Sequence, residues 1–508
     1  MVWRCTSGEK LEQRKGNIIY FGICLFAVLF FLGVDCHLEM ELDSYTSFVY
    51  NDTWKWMLSG VGRIIDAGVY YVFESLAVPY QVIYTISYWC AVLLLAASVY
   101  LYAEVIGKTI TIKREFAFIL SFLCVVNPHI VGYFRFVEKG LMNGAIFLGV
   151  CGCFFFERYA RTKQRRELLY SLLCVIMLSF IYQIILGFFV IICIPVIVKY
   201  SNSLKSFVYN CVVSFGEYFI SFGLSLVFTK ILMDSERVGD LRYIFTEAIR
   251  RLFRVFTKYM DTMKAASNTM RPNLYPIFFI LCVVLMLGTL FLLELDNRWY
   301  YVLYLVLDAI VLYVSITVSL APWLADMAEC RVPRTAYPCF AIAGMLIQYS
   351  LVLLQNNKHR DIPKMAIQMI QLMAGGFLVI YLFVQWSCTL KFFEDRYARN
   401  AIDCYEANYV QDRIEQYEQR NGTEVTKIVI YHDQNLSCNY FTMWSASSAN
   451  PYTADFSDVE TLVFFTGRQY DRGEWSSDAS AYFSSKDWNS LNDEQFFFEG
   501  DTLHLCIF

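Results

Sequence analysis

Asp52, Lys55, Ser59, Arg63 and Asp66 lie at offsets of 0, 3, 7, 11 and 14 within the stretch from Val49 to Gly68. At 3.6 residues per turn that spacing predicts one ionisable side of a helix. A carboxylate such as Asp52, standing beside its Asn51 neighbour, can take a proton from a hydroxyl as a general base. A guanidinium such as Arg63 presents a fixed fork of N–H donors that matches phosphate oxygens, and Lys55 adds a compact positive charge. Trp54, Trp56 and Met57 lie between these groups, and Trp favours the membrane–water boundary. The plain alternative is a solvated face on an interfacial helix, with Asp52 and Lys55 as an i,i+3 pair.

More cations of the same kind occur far along the chain, at Arg135, Arg331 and Arg334. Each lies in a short loop between apolar segments, so each can reach the plane of lipid phosphates. Donors placed there would stabilise the charge that develops on a departing phosphate. Glu138 is the simple ion partner for Arg135, and Asp326 or Glu329 for the other two. Tyr182-Gln183 can close such a site or merely form a turn. His129 follows Asn127-Pro128 and reads as part of a capped turn. Glu217 and Asp308 lie inside apolar segments, where a carboxylate must face the bundle interior. They read as structural hydrogen-bonding groups.

The elements that must position these residues are membrane helices. The chain has 508 residues, of which 57% are hydrophobic and only 17% charged, against roughly 45–50% and 25% for soluble domains. Eleven segments approach span length: 18–34, 82–103, 116–131, 141–156, 168–182, 184–198, 207–228, 275–293, 299–321, 337–354 and 365–386. The first has no small-x-small cleavage site after it and reads as a retained span. Basic residues in short loops favour a cytoplasmic N-terminus, with the dense cluster Arg158, Arg161, Lys163, Arg165 and Arg166 also inside. The uncharged run from Leu168 to Val198 has basic flanks at both ends, which predicts a tight hairpin at Tyr182-Gln183. The segment 234–271 is too polar to span; its apolar residues recur at helical spacing among arginines, as in a helix lying in the interface.

The fold class expected is therefore an all-α polytopic membrane domain over 1–386, with an outer loop at 35–80. A small α/β domain over 387–508 follows on the extracytoplasmic side. That tail holds 9 Lys+Arg against 20 Asp+Glu, leaving 33 against 26 in the rest. β-like runs occur at Thr426–Tyr431, Thr461–Phe465 and Thr502–Phe508. The 17 cysteines sit mostly in apolar runs, with no C-x-x-C and no zinc spacing. No nucleotide-binding or hydrolase motif is present, and no nucleic-acid footprint.

The order of these motifs resembles the bacterial glucosyl transferase II family. Asn51-Asp52-x-x-Lys55 followed by Gly62-Arg63 stands where that family has an acidic pair, a basic residue and Gly-Arg-Trp. The Asn127-Pro128 turn, Tyr182-Gln183, the loop Arg331-Val-Pro-Arg334 and the long helix after the last span also match its layout, over roughly 15–430. The family is similar in plan to the GT-C glycosyltransferases, multi-pass enzymes with an outer catalytic acid after the first span. The resemblance implies a cell-membrane hexosyltransferase. It would take a hexose, glucose in the family's usual task, from a polyprenyl phosphate carrier and glucosylate a cell-surface polysaccharide or its lipid-linked precursor.

In that reading Asp52 is the base, Lys55 and Arg63 are the motif cations, and Arg331 touches phosphate. Two departures stand out. Asn51 replaces the first acid, which leaves a divalent metal on a carboxylate pair unsupported, and Ile64 replaces the Trp that would stack on a sugar. The rival expectations are a transporter or flippase of a lipid-linked glycan, which would show inverted repeats and mid-membrane charges, and a surface polysaccharide polymerase.

Overall fold

The computed structural model describes residues 7–506 apart from 34–39, 41, 51–52, 61, 233–240, 270–273, 296, 325–332, 359–363, 432–450, 454, 456, 485 and 487–490. Asn51, Asp52, Asp326, Glu329 and Arg331, all singled out by the sequence, lie outside the described residues. The described chain is mostly helical and divides into two compact units. One comprises Met1–Cys36, Trp54–Phe73 and Val82–Thr389; the other comprises His37–Thr53, Glu74–Gln81 and Leu390–Phe508.

Among the described residues of the first unit, eight helices are long and apolar enough to cross a membrane: Lys15–Leu32, Tyr80–Thr109, Lys139–Thr162, Leu204–Lys230, Tyr275–Leu292, Arg298–Ser319, Arg334–Asn356 and the start of Leu372–Asn421. Three apolar segments remain. The pair Arg114–Val125 and Pro128–Phe134 is bent by 49°. Pro128 cannot donate to the preceding turn, and the Asn127 side chain accepts from the His129 amide at 3.0 Å instead. The other two are Arg165–Ile181 and Gln183–Lys199, 17 residues or fewer each.

These last two form the hairpin. Ser171 donates to the carbonyl of Gly152 at 3.0 Å, and Cys153 to the carbonyl of Ile192. One level away, a Cβ on Gly149 would meet Leu178, Ile185 and Phe188 together. The chain therefore reverses at 182–185 and clasps the Lys139–Thr162 helix with both arms.

The stretch from Val49 to Gly68 departs from the single helix that its spacing predicts. A short turn at Thr53–Lys55 runs into a π-helical turn at Trp56–Gly60, and a new helix starts at Ile64–Ser75. Gly62 sits at φ +69°, where a side chain is strained, and ends the regular spacing. Lys55 and Ser59 consequently stay on the earlier turns, while Arg63 and Asp66 belong to the next helix.

In the second unit, four strands β1 (Lys427–Tyr431), β2 (Asp471–Arg472), β3 (Phe496–Glu499) and β4 (Thr502–Cys506) form a sheet in the order β2-β1-β4-β3. β1 pairs parallel with β2 and β4, and β3–β4 is an antiparallel hairpin. Ile428, Ile430, Leu503 and Leu505 pack on Val410, Ile414 and Leu462. Thr461–Phe465 is not a strand: it lies in the helix Asp458–Thr466. Two acids open that helix, Gly467 at φ +69° closes it, and Arg472 bridges Asp458 and Glu460 at 2.6 Å each. The helix after the last span begins earlier than polarity suggests, as one rod over Lys364–Asn421. Its Asn400 brackets Met40, accepting from the amide at 2.6 Å and donating to the carbonyl at 3.0 Å, and its Asp403 accepts from Tyr45 at 3.0 Å.

Candidate functional site

Arg63 is the centre of a charged cluster in the first unit. Its Nη1 lies 3.8 Å from Asp66 Oδ2 and 3.7 Å from Glu138 Oε1. Its guanidinium carbon stands 4.7 Å from the centroid of the Tyr182 ring. Gly62 and the backbone bond from the Arg63 amide to the Met57 carbonyl, at 2.8 Å, aim the side chain. The helix that follows carries Asp66 one turn on. Glu138 and Lys139 come from the start of the Lys139–Thr162 helix, and Tyr182 from the hairpin tip.

The aromatic wall continues inward. Tyr133 meets Tyr182 edge-on at 5.6 Å and Tyr337 at 5.2 Å. The Tyr133 hydroxyl donates to the Arg334 carbonyl at 2.9 Å, and the Arg334 guanidinium lies 4.4 Å from the Phe136 ring. Lys139 is buried to 1% exposure with its amine 3.5 Å from the Tyr84 ring.

Asp66 is fully buried, and among the described residues no donor reaches either carboxyl oxygen. Burial pushes its pKa up to about 8; Arg63 opposes this, and the Glu138 charge adds to it. At neutral pH Asp66 is thus mostly the neutral acid. Arg63 itself makes no side-chain hydrogen bond among the described residues, although it is only 14% exposed. Its contacts are longer than hydrogen bonds, so its planar fork of donors is left for something else.

The site residues expected from sequence divide accordingly. Arg63, Tyr182 and Arg334 come together. Arg135 is buried, within the turn that carries Phe136 and Glu138. Gln183 turns aside and donates to Ser225 at 2.6 Å. Lys55 is exposed beside Trp54, 5.9 Å from its ring. Glu138, expected only as a partner for Arg135, and Lys139, expected only as an outer-loop cation, were not among the site residues expected from sequence; adjacent opposite charges opening an apolar helix were the available signal. Among the described residues no group of three or more His, Cys, Asp or Glu could hold a metal ion.

The basic cluster of the sequence lies at the other end of the same helix. Glu157 pairs with Arg161 at 3.0 Å and accepts from Tyr200 at 2.8 Å, while Glu167 pairs with Arg158 at 3.2 Å and Arg166 at 3.3 Å. Lys139 and Arg158 are separated by 19 residues of one helix, about 28 Å at 1.5 Å per residue, close to a ~30 Å hydrocarbon core. Glu217 accepts from Ser171, and Asp308 from Tyr349, both at 2.8 Å, in keeping with structural hydrogen bonds.

No known family model matches the chain, and no curated protein matches its sequence.

Proposed function

We propose that this chain is a multi-pass cell-membrane glycosyltransferase that moves a hexose, glucose by the family resemblance, from a polyprenyl phosphate donor to a cell-surface glycan on the outer face. In this reading all eleven apolar segments cross or enter the bilayer, the N-terminus is cytoplasmic and the C-terminal unit extracytoplasmic. Asp52 takes the acceptor proton. Arg63, with Arg331 and Arg334, holds the phosphate as the sugar–oxygen bond breaks.

The observation that carries the reading is the Arg63 side chain, stacked on Tyr182 and largely enclosed, with its N–H donors unspent. A guanidinium so placed suits a planar, bidentate anion. The end of the bundle that holds it lies a bilayer's thickness from the dense basic cluster. Those are the features a lipid-phosphate substrate would require.

The test is to incubate the purified full chain with labelled polyprenyl phosphate glucose and a membrane extract as the source of acceptor. Wild type should release label from the carrier, and Asp52→Asn should abolish release with protein still in the membrane. Arg63→Lys should lower kcat/KM about 10- to 100-fold, since an ammonium neither stacks nor forks. Full transfer by Asp52→Asn would remove the base; no transfer by folded wild type would remove the reading.

A further inference from the structure

The helices Leu241–Leu252 and Val255–Thr269 carry three stripes of side chains, each with its own environment. Val255, Tyr259, Thr262 and Met263 are buried. Tyr259 donates to the Cys339 carbonyl at 3.2 Å and packs 5.2 Å from Phe279. A second stripe, Ile249, Phe253, Phe256 and Met260, is exposed by 52%, 90%, 48% and 50%. Ile249 lies on the first helix, Phe253 on the turn that joins the two, and Phe256 and Met260 one turn apart on the second. A third stripe is cationic: Arg251, Arg254 and Lys258.

This cationic stripe is organised around Trp323. Arg251 and Lys258 stand 5.6 and 5.4 Å from its ring, and Arg251 donates to its carbonyl at 2.5 Å. Among the described residues neither Arg254 nor Lys258 makes an ion pair; the nearby Glu247 pairs with Arg250 at 3.1 Å and, at the longer distance of 4.0 Å, with Arg251. The helices lie across the ends of three candidate spans: Tyr313 late in one donates to the Leu252 carbonyl at 3.2 Å, and Phe279 and Cys339 lie early in two others. Arg334 opens the last of these spans, so this is the same end of the bundle as the Arg63 cluster.

We propose that Arg251 and Lys258, both at the Trp323 ring, together with Arg254 between them in the chain, form a binding site for the headgroup phosphate of an anionic phospholipid whose acyl chains run along Phe253, Phe256 and Met260. The charge of the stripe complements the phosphate. The apolar face beside it is too exposed for water, and the span ends beneath it set it at headgroup depth. The site is independent of the glycosyl-transfer reading. Each cation near an anionic lipid surface contributes about fivefold in affinity, so removing two should cost about 25-fold.

The full chain in detergent is equilibrated with phosphatidylglycerol and phosphatidylcholine of identical acyl chains, and retained lipid is counted by native mass spectrometry. Wild type should retain phosphatidylglycerol in preference, and the preference should weaken as salt rises. Arg254→Gln with Lys258→Gln should lose it by about 25-fold. Neither position makes an ion pair among the described residues, so folding is spared; Phe253→Asp, a second variant at a highly exposed position, should weaken retention of either lipid. Equal retention of the two lipids by wild type, or unchanged preference in the double variant, overturns the proposal. Displacement by inorganic phosphate as effective as by phosphatidylglycerol would make this a free-phosphate site and overturn the lipid assignment.

Discussion

Replacing Asp66 with Asn should remove about 2.5 kcal/mol of the pH dependence of stability between pH 6 and 8. Folded Asp66 has its pKa near 8, against 3.8 for the free side chain. The folded state therefore keeps a proton that the unfolded state has already released. The resulting stability is complete below pH 3.8 and is lost as pH rises through 8. Each unit of that window is worth about 1.4 kcal/mol, less as pH nears the folded pKa, so Asp66 alone should cost wild type about 2.5 kcal/mol between pH 6 and 8. At about 2.1 cal/mol/K of unfolding entropy per residue, that amounts to roughly 2 °C in thermal midpoint for a chain of 508 residues.

The Asp66→Asn side chain would keep the size of the neutral acid and cannot ionise, so the variant's midpoint should fall less steeply than wild type's; the remaining decline comes from other buried acids such as Glu406, whose pKa burial pushes up to about 7. The neighbours give the effect a signature. Glu138→Gln removes a charge that raises the Asp66 pKa, so the decline should end at a lower pH. Arg63→Met removes the opposing charge, so the decline should extend upward. Differential scanning fluorimetry of the purified protein reads all four profiles. Superimposable wild-type and Asp66→Asn profiles from pH 6 to 9 would refute the argument.

Two further outcomes concern the backbone around the site and the second unit. Gly62→Ala should lower the thermal midpoint and reduce expression, because a Cβ there would lie 2.5 Å from Thr229 Oγ1 in a φ +69° conformation; the dihedral alone costs about 1–2 kcal/mol, so Thr229→Gly should restore only the steric part. Asn400→Ala removes both bonds to the Met40 backbone, about 2 kcal/mol in all, and limited proteolysis should then cut within 37–53 at least several-fold faster than in wild type.

The eight long apolar helices were legible because a run of apolar residues has few other options, and the hairpin at 182–185 was legible from its basic flanks. The same reasoning failed where one signal carried two meanings. At 461–465 the β-branched and aromatic residues face a core from a helix, and the first-turn acids Asp458 and Glu460, favourable at a helix N-terminus, outweigh strand propensity. The Lys364–Asn421 rod looked like two elements because its surroundings change from apolar to polar while nothing in the backbone interrupts it. The helical offsets from Asp52 to Asp66 were a true periodicity in the sequence, but one glycine at 62 cut it. That cut separates exposed Lys55 from Arg63, and it brings Arg63 to Glu138, a residue 75 positions away that no local pattern could pair with it.

What distinguishes a structural ion pair from a site waiting for a ligand is how completely the donors are used. Glu157 and Glu167 hold their arginines at 3.0–3.3 Å, and Tyr200 completes the first of them. Arg63 is shared by two carboxylates at 3.7–3.8 Å, one of which is mostly neutral at pH 7. If its role were to hold the fold together, closing to hydrogen-bond distance would cost only a small side-chain shift and would add a charge-assisted bond. The retained gap, the Tyr182 face beneath and the unused donors instead favour a guanidinium kept free for an incoming anion. A phosphate at hydrogen-bond distance from that fork would also draw Arg63 away from Asp66 and push the Asp66 pKa higher still. Binding should therefore be accompanied by proton uptake when measured near pH 8, a coupling that calorimetry in buffers of different ionisation heat can read directly.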